Sequence, residues 1–347
     1  MEGKRDDAID AVRGIAMLAV IVGHSLKNAT LMSFIFSFHM PLFFFISGYL
    51  FSAKPDKVKK TLIRTAKPYF FTAITYVVLA TIKSCASTGT FDGALLLDRC
   101  LAVLYMSGSR TDFFAWEIPA AGAIWFLAAL FWATAFLWLI VKYTPDTTAG
   151  EVLRAAIVAV LFIVGRQTAF LTWLPFSIQA GMCATLFMYV GWFCKKRIPF
   201  RSDYGNKGIR ALVFVACLAI WALDVYAGVV DGKVAMVAAS YPDALLNIAG
   251  ALAAIYVIFR LVDATIAAKA LAPLYRYLSW IGRNTMTVLC FHLLEMRFVP
   301  WTTLTEALFP GLNSYIVLLL VFAEKFCWAS AWIGIVNHCK PLKKIFS

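Results

Sequence analysis

The first candidates for chemistry are a cation and an imidazole on one apolar run, Arg13 and His24 in IDAVRGIAMLAVIVGH. Eleven residues at about 100° each make three turns plus about 20°, so on a helix the two side chains share a face about 16 Å apart. A second imidazole, His39, lies in LMSFIFSFHMPLFFFISGYLF, two residues before Pro41. Proline removes a backbone donor, so the helix is expected to open near His39. Imidazole has the ordinary pKa that suits acid–base work at neutral pH, such as taking the proton of a poorly nucleophilic hydroxyl. The plainer alternative for Arg13 and His24 is that each snorkels to its own membrane surface. A third feature is basic: Lys57 to Lys67 reads KVKKTLIRTAK, with Arg64 and Lys67 near its end. Such a run is either a lipid-facing cytoplasmic loop or a cradle for phosphates.

Apolar helices must carry these groups. The chain has 347 residues, 62% of them apolar or aromatic, 15% charged, with mean hydropathy +0.78. So little polar surface cannot solvate a compact globule, which excludes a soluble enzyme, a disordered tail and a nucleic-acid binder. Runs of roughly 20 apolar residues give ten expected spans: 8–26, 31–51, 68–82, 122–141, 152–165, 176–194, 211–229, 244–259, 280–299 and 313–335. The third and fifth runs are short, so these helices are expected to tilt, extend or be partly shielded by protein. The fold class is therefore an all-α polytopic membrane protein, a single domain over 1–347.

With the N-terminus in the cytoplasm, the inner segments hold 22 of the 32 Lys and Arg, and the outer segments, Lys27 among them, hold 7. That asymmetry places both termini inside and explains most of the net charge of +13. The N-terminus, with Lys4 and Arg5 among three acids, does not read as a cleavable signal. The eight Cys show no metal or disulfide spacing, and no metal site is expected. Segment 83–120 is the one sizeable loop, and 94–106 could lie on the outer surface as an amphipathic helix.

Other polar groups fall within or beside the spans. Asp224, His292, Glu324 and Lys325 sit deep in the seventh, ninth and tenth spans. Ionisable groups in hydrocarbon are costly, so each needs a partner or a role. Glu324 and Lys325 point about 100° apart and cannot pair well with each other. Further candidate substrate contacts are Glu117, Trp125 and His292. Trp125 also fits an outer aromatic belt. Ser47-Gly48 should let another helix approach closely.

With its Arg13–His24 pair, IDAVRGIAMLAVIVGH resembles the acyltransferase-3 family of membrane acyltransferases. FSFHMPLFFFISGYLF, IWFLAALF and WIGRNTMTVLCFH extend the resemblance over most of the chain, most closely to the fucose 4-O-acetylase-like branch. It implies a bacterial inner-membrane enzyme that moves an acyl group, usually acetyl, from acetyl-CoA to a hydroxyl of a surface or lipid-linked glycan. Arg13 and His24 match the family's Arg–His pair. Arg64 and Lys67 fall where relatives carry two arginines proposed to hold the coenzyme; Lys67 keeps charge but loses the bidentate fork. On this reading His24 is the general base or an acyl relay, and His39 orients it or donates to the developing oxyanion. Arg13, Arg64 and Lys67 contact the coenzyme. The alternative is a transporter that moves a glycan or acyl-glycan and makes no bond.

Overall fold

The computed structural model describes residues 6–25, 28–198, 200–201 and 205–346. Lys4, Arg5 and Lys27 of the charge count lie outside them. Described residues form fourteen α-helices, three short 3-10 turns and one two-stranded hairpin. Among the described residues, nine helices are long and apolar enough to cross a membrane. These are α1 (Asp7–Ser25), α2 (Ala29–Tyr49), α3 (Lys57–Thr88), α5 (Trp125–Tyr143), α6 (Thr148–Leu171), α7 (Ile178–Arg197), α8 (Lys207–Val230), α9 (Ala244–Thr265) and α13 (Ser314–His338). The protein is an all-α, multi-pass membrane protein.

Two expectations need correction, and a third is met by extension. The third and fifth spans extend beyond their short apolar runs: α3 has 32 residues and α6 has 24. Their helices continue through polar residues at the ends, where water and headgroups satisfy side chains without ending the backbone ladder. The expected span 280–299 is two helices, α10 (Ala272–Arg283) and α11 (Thr285–Phe298), broken at Asn284. Finally, α2 runs unbroken through Pro41. The proline costs the ladder only the one bond that a residue-41 amide would give to Ser37 O, and the turns on either side carry the helix through. The loop at 83–120 holds the end of α3, then α4 (Gly93–Tyr105) and the hairpin β1 (Thr111–Phe113) with β2 (Trp116–Ile118).

Contacts sort the helix ends into two groups. At one end, Arg201 bonds Asp263 at 2.5 Å and also pairs with Asp6, while Arg283 lies 3.7 Å from Asp7. Lys196 and Arg197 both reach Asp146 at 2.7 Å, and buried Arg154 bonds Glu151 at 2.7 Å. This is the basic end, and it carries the start of α1. It also carries α14 (Lys340–Phe346), whose Lys344 carbonyl accepts from Lys67. At the opposite end, the Trp173 amide donates to Asp112 O at 3.0 Å and Ser177 donates to Met106 O at 2.6 Å. Both described chain ends therefore share the basic end.

Packing between lipid-solvated helices relies on close approach rather than on a hydrophobic gradient. A Cβ on Gly48 would stand 1.8 Å from Met188 O, so α2 and α7 touch through backbone, as the Ser47-Gly48 pair suggests. A Cβ on Gly282 would stand 1.8 Å from Asp10 O. That contact presses the end of α10 onto α1 and fixes where Arg283 emerges.

Candidate functional site

One cavity of about 800 Å³ runs through the bundle, within the range typical of small-molecule sites. On α1 it is bordered by Arg13, Met17, Val20 and His24, a stripe at helical spacing. The shared face read from the Arg13–His24 separation is thus real, and α1 is continuous between them. From α2 come Phe36, His39, Met40, Phe43 and Ser47; from α3 come Lys57, Thr61, Arg64 and Thr65. Helix α11 contributes Leu289, Leu293 and Met296, and α5 contributes Trp125 and Phe126.

The two ends of the cavity differ in chemistry. Toward the basic end stand Arg13, Lys57, Arg64 and Arg283. Arg13 lies 3.7 Å from Asp10, and Arg283 lies 3.7 Å from Asp7. Among the described residues, no carboxylate pairs with Lys57 or Arg64. Unneutralised cations beside a cavity favour an anionic occupant, and a guanidinium offers phosphate a planar fork. They stand seven residues apart on α3, two turns, with Thr61 and Thr65 on the same side. Lys67 lies about 60° round the helix from Arg64, away from those threonines. It is outside the cavity lining, and its Nζ points to Lys344 O at 3.4 Å.

Toward the opposite end stand His24 and His39, with Arg297 of α11 also on the lining. His24 is exposed to the cavity, and neither ring nitrogen has a hydrogen-bond partner among the described residues. His39 is buried; its Nδ1 donates to Ile35 O, leaving Nε2 as the lone-pair nitrogen. The two rings share the cavity with Phe36 beside both, at 6.4 Å from His24 and 5.0 Å from His39 between centroids. Open ring nitrogens facing a shared cavity are what a proton-transfer pair needs; a histidine kept only for packing would have its polar atoms satisfied.

The remaining candidates divide. Trp125 lines the cavity beside Gly108. Glu117 does not: it sits on β2 in an exposed 2.5 Å ion pair with Arg110. His292 is buried behind the lining, its ring 5.7 Å from that of His24. Its Nδ1 lies 2.7 Å from Glu295 Oε1, which Lys325 Nζ also approaches at 3.3 Å. Glu324 accepts from Thr305 at 2.8 Å instead, so these sequence neighbours do find separate partners. Asp224 accepts from Asn247 at 2.8 Å between α8 and α9, away from the cavity. Glu295 was not among the sequence candidates; its i, i+3 spacing from His292 was the available signal.

The Acyl_transf_3 family model, described as an acyltransferase domain, matches residues 6–332. No curated protein and no solved structure matches the chain. The matched stretch reaches from the entry of α1 into α13 and contains every residue that borders the cavity. The chain belongs to the acyltransferase-3 family of membrane acyltransferases.

Proposed function

We propose that the protein is an O-acyltransferase that takes acetyl from acetyl-CoA and esterifies a hydroxyl of a surface or lipid-linked glycan. Its sequence landmarks support a place in the fucose 4-O-acetylase-like branch. The observation that carries this reading is the polarity of one cavity, with Lys57 and Arg64, which meet no carboxylate among the described residues, toward one end and His24 and His39 toward the other. Arg64, Arg13 and Lys57 hold the phosphates of the coenzyme at the basic end, taken as the cytoplasmic side where the coenzyme is made. The thioester then lies about 16 Å further in, near His24, a separation of the order an extended pantetheine arm covers.

His24 removes the proton of the acceptor hydroxyl as its oxygen attacks the thioester carbonyl, then returns a proton to the departing sulfur. His39 is fixed by its bond to Ile35 and orients the acceptor hydroxyl through Nε2. Trp125 offers an aromatic face to a sugar ring. Lys67 and Glu117 lie off this path and take no part in the reading. The carrier membrane is a bacterial inner membrane.

The test is to supply membranes containing the protein with acetyl-CoA labelled in the acetyl group and to isolate the glycan fraction. Label in an ester on glycan, released by mild base, is expected. Glycan crossing the membrane without label would instead make the protein a transporter.

A further inference from the structure

Behind the cavity wall lies a hydrogen-bonded network that the proposed step does not use. His292 and Glu295, one turn apart on α11, are joined at 2.7 Å, with side chains 2% and 1% exposed. Lys325 of α13 approaches the same carboxylate at 3.3 Å, and Trp301 Nε1, from α12 (Trp301–Leu308), donates to its other oxygen. Three helices thus converge on one carboxylate within the bundle, where an unpaired charge is costly.

The carboxylate accepts the proton on Nδ1, which makes Nε2 the lone-pair nitrogen of His292. That Nε2 is buried and has no hydrogen-bond partner among the described residues. A buried polar atom without a partner calls for an explanation. The neighbouring imidazole is His24, 5.7 Å away between ring centroids. Two imidazoles joined by an N–H···N bond of about 2.9 Å have centroids about 5.2 Å apart. A small side-chain adjustment closes the difference.

We infer that His292 is a positioning residue for acyl transfer, its Nε2 accepting the second N–H of His24 when His24 takes up the acceptor proton. This rests on the acyltransferase reading above. In the step, the acceptor O–H bond breaks and its proton goes to His24. The oxygen pair forms the C–O bond at the thioester carbonyl, the C–S bond breaks, and the proton passes from His24 to the coenzyme sulfur. In between, His24 is an imidazolium with two donors. One faces the reacting atoms; the other needs an acceptor away from water. Glu295 holds His292 in the tautomer that provides it, and Lys325 and Trp301 hold Glu295. His292 itself does not border the cavity, so it acts through His24 and touches no substrate.

The test uses membranes containing full-length wild type, His292→Ala, His292→Gln or Glu295→Gln, supplied with [14C]acetyl-CoA. Vmax is taken per amount of folded protein, counted as monodisperse protein after detergent extraction. His292→Ala is expected to lower Vmax by about tenfold or more while KM for acetyl-CoA stays within about twofold. Added imidazole should restore part of the loss. Glu295→Gln should lower Vmax in the same direction, also without moving KM. A wild-type Vmax in His292→Ala or in the bulkier His292→Gln overturns the inference. So does a loss that imidazole does not relieve, which marks a merely structural role. A wild type that transfers no label overturns the acyltransferase reading, and this inference with it. An active wild type with undiminished His292 variants overturns only the inference.

Discussion

Replacing Arg64 by Ala should raise KM for acetyl-CoA and leave kcat nearly unchanged. Arg64 borders the cavity on the stripe of α3 that also holds Lys57, Thr61 and Thr65, and no carboxylate among the described residues neutralises it. A hydrogen bond to a charged group contributes about 1.5–3 kcal/mol. At about 1.4 kcal/mol per tenfold, losing one such contact raises KM about 10- to 150-fold. Arg64→Lys should fall between the two, because charge remains while the fork is lost. The assay is label transfer in membranes over a range of acetyl-CoA concentrations, repeated with acetyl-pantetheine, which lacks the nucleotide phosphates. If Arg64 holds a nucleotide phosphate, the Arg64→Ala penalty disappears with acetyl-pantetheine, a double-mutant cycle between residue and ligand group. Lys67→Ala is the internal control, expected within about twofold of wild type because the side chain points to Lys344. An unchanged KM in Arg64→Ala, or an equal penalty in Lys67→Ala, would refute the reasoning.

Three further outcomes follow from the geometry. Glu117→Ala breaks only an exposed pair with Arg110; thermal melting in detergent should shift by no more than about 1 kcal/mol, and acceptor kinetics should not change. Gly282→Val forces a side chain into Asp10 O at the α1–α10 contact; it should cost more than about 3 kcal/mol, seen as early melting, and an unchanged melting curve would contradict that packing. Asp146, in the α5–α6 loop, has its carboxyl held below the ordinary 3.8 by the Lys196 hydrogen bond, with Arg197 and Arg154 adding charge. A lowered folded-state pKa contributes stability that is complete above the ordinary value and lost as pH falls through the lowered one. Asp146→Asn should therefore flatten the acid side of a melting-temperature-against-pH curve, and a curve that still falls as steeply would count against it.

Much of this architecture was legible in the residues, and the losses have physical causes. The Arg13–His24 separation needs only the 3.6-residue period, and α1 is continuous, so both line one cavity with Met17 and Val20 between them. Hydropathy located the crossings because lipid demands long apolar runs. It could not see the break at Asn284, since α10 and α11 are each too short to register and together read as one run. It also clipped α3, whose polar residues beyond the bilayer extend the helix to Thr88. Pro41 pointed to a break, but it removes a single ladder bond, to Ser37 O, and α2 continues through it. Glu295 was missed for a different reason. Its partners His292, Lys325 and Trp301 come from three helices, and only folding brings them to one carboxylate. Likewise, charge counting treated the Lys57–Lys67 run as one group. The helix splits it into a cavity stripe with Arg64 and a flank with Lys67.

The central claim is that His24 carries the proton transfer of an acetyl transfer from coenzyme A. Its most direct test is incorporation of labelled acetyl from acetyl-CoA into glycan ester by membranes holding wild type or His24→Ala at matched amounts of folded protein. Wild type is expected to label the glycan, and His24→Ala to fall by about 100-fold or more with KM for acetyl-CoA little changed. Undiminished labelling in His24→Ala would contradict the account.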